Sequence, residues 1–166
     1  MNDTAVDPAH FRDAMSQFAS GVTIVTTRDA EGSPVGFTAS AFSSLSLNPP
    51  LVLVCLDKGA DCYSAFAAAD SMAISILAAG QTEIALRFSR RGADKFGPGG
   101  LSDGPLTGMA LVNGATVHLE CSFAEKLDGG DHTILVGKVL AAKTIDSVPM
   151  VHYNRHFGRF GEDPAN

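Results

Sequence analysis

Residues 36–50 read Gly-Phe-Thr-Ala-Ser-Ala-Phe-Ser-Ser-Leu-Ser-Leu-Asn-Pro-Pro, and an apolar run, 51–56, follows at once. Hydroxyls and free backbone N–H groups supply directional donors without fixed charge, so a stretch lacking Lys and Arg can still hold a phosphorylated ligand. Thr38 and Ser40 stand two apart on an extended segment, which sets both hydroxyls on one face about 7 Å apart. That spacing suits two polar atoms along the edge of a flat ligand; it also suits a plain solvated strand face. Ser43, Ser44 and Ser46 fit ligand contacts on the phosphate side or turn and cap positions beside Pro49-Pro50.

Three other groupings carry chemistry. His132 follows Gly129-Gly130-Asp131, and a carboxylate beside an imidazole can fix its tautomer, leaving the other ring nitrogen for a ligand or for solvent. Asp57 and Lys58 close the apolar run; Lys58 is a cation near a helix start, suited to a phosphate or to a solvated strand end. Arg87, Arg90, Arg91 and Lys95 gather around a glycine-rich stretch and suit either the phosphates of a dinucleotide or a solvated helix end. Cys55 and Cys121 sit in apolar strand patterns that hold a thiol protonated, which makes them core residues rather than nucleophiles. The remaining histidines, His10, His118, His152 and His156, have no ligand spacing with one another or with the cysteines, so no metal is expected.

These groups must be carried by a scaffold. Asp7-Pro8 reads as N-cap and first position of a helix running to residue 19, with Phe11, Ala14, Met15 and Phe18 on one face. Residues 22–27 and 34–40 form a hairpin around the turn 29–32, and 51–56 reads as a strand buried on both faces. Asp61 caps a short helix through residue 69, 71–77 is a strand, and 81–90 is helical. Residues 92–108 hold too many Gly and Pro for a regular element and read as a mobile surface loop. Strict alternation over 116–124 sets Val117, Leu119, Cys121 and Phe123 against His118, Glu120 and Ser122. Its partner strand, 133–141, follows a turn at 128–131, and 148–160 supplies a last strand. Six or seven strands and three helices without βαβ rhythm predict a mainly β fold: an antiparallel barrel decorated by helices.

Length and charge narrow the classes. At 166 residues the chain suits one domain, 1–166, able to bury roughly 70% of its unfolded surface, with 1–8 and 161–166 as flexible tails. A net charge of −6 with scattered cations argues against nucleic acid. Cys55, Cys62 and Cys121 form a poor disulfide framework, and neither a secretion signal nor a spanning run is present, so a cytoplasmic location away from membranes is expected.

Taken in order, 36–46, 49–58, Lys95-Phe96, Gly130-Asp131-His132 and 149–160 resemble the short-chain flavin reductase family over about residues 10–160. The resemblance implies an FMN-binding split barrel and a homodimer with flavin near the subunit interface. It further implies hydride transfer from NADH or NADPH to FMN or FAD and release of reduced flavin to an oxygenase component. It puts Thr38, Ala39, Ser40, Ser43, Ser44 and Ser46 at the flavin, the serines toward ribityl or phosphate oxygens. Cys55, Leu56, Asp57, Lys58, Ser75 and Gln81 are implied beside the cofactor, as are Arg87, Phe88, Lys95, Phe96, Tyr153 and Phe157. His132, oriented by Asp131, is implied over the ring near the nicotinamide. The chain departs from the family at Ala60 and Cys62, where hydroxyl-bearing residues are usual near the phosphate, and at Ser75, where Asn is frequent. Asp61 between them would repel a phosphate unless it caps its own helix, which predicts weaker FMN binding or preference for another flavin. A retained flavin serving a quinone, corrin or metal complex, and a non-catalytic flavin binder, are the competing readings.

Overall fold

Antiparallel pairing organises every ladder of the computed structural model, which describes residues 6–161. In chain order the elements are α1 (Pro8–Met15), β1 (Ser20–Gly21), β2 (Thr23–Arg28), β3 (Pro34–Ala39), β4 (Phe42–Ser46), β5 (Leu51–Asp57), α2 (Tyr63–Ala68) and β6 (Ser71–Ile76). They continue as α3 (Thr82–Ser89), β7 (Leu101–Asp103), β8 (Ala110–Val112), β9 (Val117–Gly129), β10 (His132–Thr144), β11 (Met150–Tyr153) and β12 (His156–Arg159). The anticipated flexible tails fall mostly outside the described residues.

Seven strands run in the order β3-β2-β6-β9-β10-β5-β4. The chain passes from β3, at one end of this sheet, to β4, at the other, through Ser40-Ala41 alone, so the sheet curls back on itself. β3 approaches β5 without pairing to it. The result is a split barrel. Inside it, Val25, Phe37, Val54, Leu56, Phe66, Met72, Ile74, Cys121 and Leu135 form one buried cluster. A second cluster, Val22, Ile24, Leu77, Ala85, Phe88, Val112, Ala115 and Met150, packs α3 onto the outside of β2 and β3.

Several local expectations are corrected. α1 stops at Met15, where the Ser16 hydroxyl turns back to the Asp13 carbonyl at 2.7 Å; its start matches, with Asp7 accepting from His10 N at 3.0 Å. β5 is not buried on both faces: Val52, Val54 and Leu56 point inward, while Leu51, Leu53 and Cys55 are half-buried outside. The hydroxyl-rich stretch is itself an edge strand, β4. The glycine-rich stretch contains β7, which pairs with β8, and the C-terminal segment is a hairpin, β11–β12, joined to β1. No helix among the described residues is long and apolar enough to cross a membrane.

Candidate functional site

The split places its own ligand-sized space. Gly36 lets α3 settle on β3: a Cβ there would lie 2.6 Å from the Val25 carbonyl oxygen and 3.0 Å from the Phe88 ring. Thr38 fixes the same contact by donating its hydroxyl to the Ala85 carbonyl at 2.5 Å. With α3 against β3, a cleft of about 300 Å³ opens toward β5, within the size range of small-molecule sites. Its walls are Phe37, Thr38, Ala39, Ser40 and Ala41 on one side and Cys55, Leu56 and Asp57 on the other. Ala60, Asp61 and Cys62 ahead of α2, Phe88, Ser89, Arg90, Arg91 and Lys95 at and beyond the end of α3, and His132 at the start of β10 complete it.

The cleft has chemical polarity. Small side chains, Ala39, Ala41 and Ala60, leave room for a flat ring, and Arg90, Arg91 and Lys95 gather at the end of α3. Asp57 accepts from Gly59 N at 2.7 Å and faces Arg91 at 3.7 Å, while Lys95 donates to the Gly36 carbonyl at 3.0 Å. The donor set fits a planar ligand with an anionic tail.

His132 is held by the turn before it. Gly130, at φ 77°, makes the tight link between β9 and β10 that a side chain would strain. His132 Nδ1 lies 2.7 Å from Asp131 Oδ1; a carboxylate only accepts, so the proton is on Nδ1 and the bond leaves Nε2 untouched. That hydrogen bond holds the Asp131 carboxyl below the ordinary carboxylate range.

Lys58 is tied to the same turn. Its ammonium bonds Asp128 and the Gly130 carbonyl, the latter at 2.6 Å, and its backbone N–H donates to Asp131 O at 3.0 Å. The Asp128 hydrogen bond raises the lysine's pKa and lowers the carboxyl's. Lys58 therefore braces the turn that presents His132.

Of the residues singled out in the sequence, the fold gathers Thr38, Ala39, Ser40, Cys55, Leu56, Asp57, Phe88, Lys95 and His132 on one cleft, with Asp131 behind the imidazole. Thr38 lines it with its proton already committed to α3, which corrects its reading as a free donor. Ser43 lies in a neighbouring groove, and its hydroxyl turns to the Ser44 carbonyl at 2.9 Å; Ser44 and Ser46 follow along the edge strand, outside the cleft. Ser75 is buried and accepts from Val112 N at 2.9 Å, so it ties β6 to β8. Gln81 bridges Ala78 N and the Asn113 carbonyl at 2.9 and 2.8 Å, a helix-entry brace. Arg87 reaches the Gly99 carbonyl at 2.9 Å, away from the cleft. Phe96 stacks edge-on with Phe88 at 5.1 Å behind the cleft wall. Tyr153 bonds Gln17 at 3.0 Å, and Phe157 packs beside His152 and the second core cluster. Phe37, Ala41 and Ser89 were missed: a buried Phe and two small residues carry no signal in a sequence.

The neighbouring groove shares Ser40, Ala41 and Cys55 with the cleft. It runs past Phe42 and Leu53 to Met15 and Phe18, with Arg12, His152 and Arg155 along it.

Comparison with known proteins agrees with this geometry. Residues 15–161 match the family model of the flavin reductase like domain. The chain is 40% identical over 154 residues to the actinorhodin polyketide dimerase of Streptomyces coelicolor, covering 92% of this chain and 86% of that one. It is 40% identical over 155 residues to an NADH:riboflavin 5'-phosphate oxidoreductase of Streptomyces pristinaespiralis, covering 92% and 88%. Identity to the flavin-dependent monooxygenase reductase subunit HsaB of Rhodococcus jostii is 37% over 154 residues, covering 92% and 78%. Among solved structures, the Streptomyces globisporus NADH:FAD oxidoreductase SgcE6, in complex with NAD and FAD fragments, superposes with a TM-score of 0.90 at 36% identity, covering 97% of this chain and 99% of that one.

Proposed function

Because the chain belongs to the flavin reductase like family, we propose that it is an NAD(P)H-dependent flavin reductase that supplies reduced FMN or FAD to a partner monooxygenase. The observation that carries this reading is the cleft in the split of the barrel, where small residues, a cationic end and an oriented imidazole meet. Reduced nicotinamide would supply the hydride and flavin would accept it, so the protein's task is binding, alignment and charge stabilisation. Ser40 and the backbone of the 40–41 bend offer donors along a ring edge. Arg90, Arg91 and Lys95 balance phosphate charge. His132, with Nδ1 held by Asp131, orients the nicotinamide or offsets charge that develops beside it. No side chain is needed as a covalent nucleophile: burial pushes the thiols of Cys55 and Cys62 up, away from thiolate.

The same reading makes the protein a homodimer in a reducing cytoplasm. The groove beside the cleft and the bare apolar face of α1 support a second copy, and three free cysteines suit that compartment.

The test is anaerobic absorbance of NADH or NADPH with FMN or FAD, first catalytic and then in excess. Many turnovers of added flavin support the proposal. Oxidation limited to one equivalent of bound flavin would replace it with a retained cofactor serving another acceptor, and no oxidation with any pair would leave a flavin binder without turnover.

A further inference from the structure

Asp61 lines the cleft beside three cations, where a carboxylate should disfavour an anionic ligand. Nor does it cap α2, whose N-terminus has no side-chain cap. Instead its Oδ2 accepts from Gly92 N at 2.7 Å. Gly92 sits at φ 66°, in the left-handed region a glycine tolerates, just after Arg90-Arg91.

The segment that receives this bond has little else to hold it. Residues 91–95 belong to no helix or strand, and their only regular feature is a turn at 91–92. The segment is anchored at its two ends, by α3 on one side and on the other by the Phe96 ring and by Asp94, which accepts from Gly97 N at 2.8 Å. Between those anchors its position depends on side chains: Asp61 on Gly92 N, Lys95 on the Gly36 carbonyl, and Arg91 facing Asp57 at 3.7 Å. These three contacts lay the strap along one end of the cleft, and that end is where Arg90, Arg91 and Lys95 line it.

We propose that Asp61 is a positioning residue: it latches the 90–96 strap through Gly92 and so aims Arg90, Arg91 and Lys95 at the phosphate of a flavin nucleotide. The proposal rests on the flavin-reductase reading for its ligand and on the hydrogen-bond geometry for its latch. It resolves the apparent conflict of a carboxylate in an anion site. One oxygen is taken by a backbone donor, and a fixed strap gathers more positive charge than the carboxylate subtracts. Riboflavin and FMN share ring and ribityl chain and differ by the phosphate, so they report on this end of the cleft alone.

The experiment titrates wild type, Asp61→Ala and Asp61→Asn with FMN and with riboflavin by quenching of flavin fluorescence, and follows amide hydrogen exchange at Gly92. A hydrogen bond to a charged group is worth about tenfold in affinity, so Asp61→Ala should weaken FMN by about that factor and leave riboflavin within about twofold. Asp61→Asn keeps an acceptor for Gly92 and should restore FMN to within about threefold of wild type. Gly92 exchange should be slow in wild type and in Asp61→Asn and fast in Asp61→Ala. Equal losses for both flavins, no loss for either, Asp61→Asn as weak as Asp61→Ala, or unaltered Gly92 exchange would each overturn the proposal. Wild type that binds neither flavin sinks the flavin reading itself and removes the ligand from this one, while Gly92 exchange still decides the latch.

Discussion

His132 depends on two neighbours that never reach the cleft. Asp131 holds Nδ1 at 2.7 Å, and Lys58 fastens the turn from beneath through Asp128 and the Gly130 carbonyl. Replacing His132 by Ala removes the imidazole that lines the cleft and leaves the other walls in place. The rate of flavin reduction should fall, or the KM for the nicotinamide rise, by about tenfold or more, with flavin affinity within about twofold. Steady-state kinetics that match wild type would remove His132 from the site. Cys121 makes the opposite kind of residue: fully buried between β6 and β10, its thiol is pushed up to about 12 from 9.0, with burial the chief cause. The unfolded chain loses that proton near its ordinary value while the native chain keeps it. Stability contributed below 9.0 is therefore lost progressively as pH rises toward about 12. Urea midpoints at about pH 8 and about pH 10.5 should show the fall, and Cys121→Ala should make it shallower. Equal slopes in the two proteins would mean that Cys121 carries none of it.

At the scale of elements, Glu120 shows how far a pattern can be read. The alternation of β9 correctly separates Leu119 and Cys121 from His118 and Glu120, yet the polar set does not face water. The 104–109 loop and β8 cover that face, and only 4% of Glu120 is exposed. Its Oε2 accepts from Leu106 N, Thr107 N and Thr107 Oγ1 at 3.0, 2.6 and 2.8 Å. Gly104 permits the approach, since a Cβ there would lie 2.6 Å from the same oxygen. Three donors on one buried carboxylate oxygen make Glu120→Ala cost about 3 kcal/mol, with the loop amides opening to exchange, and Glu120→Gln cost less. An unchanged denaturation midpoint for Glu120→Ala would refute this. The same covering explains Ser75, legible as a strand residue and illegible as a tie to β8. Long strands with one apolar face declared themselves because period and burial coincide. The strand β7 stayed hidden because a loop rich in Gly and Pro carries no period, and β8 because three residues are too few to show one. For the site, the hydroxyl segment and the 130–132 turn were readable from local composition. Roles that depend on a partner far along the chain, such as Thr38 with Ala85, Lys58 with Asp128 and Asp61 with Gly92, were not.

Across the whole molecule, the face carried by α1 is among the apolar surfaces that the described residues leave open. α1 buries none of its residues, and Phe11, Met15 and Phe18 are 56%, 54% and 78% exposed. The helix is nonetheless fixed in place. Asn154 N donates to Ser16 O at 2.8 Å, Tyr153 bonds Gln17 at 3.0 Å, and Arg155 pairs with Asp13. Asn154 and Arg155 occupy left-handed backbone at φ 46° and 63°, as the tip of a two-residue hairpin requires, an uncommon conformation for a residue as bulky as Arg. A hairpin that holds in place a helix whose apolar side faces water is hard to account for in an isolated chain, and easy if a second copy covers Phe11, Met15 and Phe18. The groove that Met15 and Phe18 line shares Ser40, Ala41 and Cys55 with the cleft, so the covering subunit would also wall the ligand. Phe18→Glu should then shift sedimentation from dimer to monomer, with a loss of flavin affinity in parallel. Wild type that sediments as a monomer would refute the homodimer, and Phe18→Glu that stays dimeric with unaltered flavin affinity would put the interface elsewhere; either leaves the α1 face unexplained.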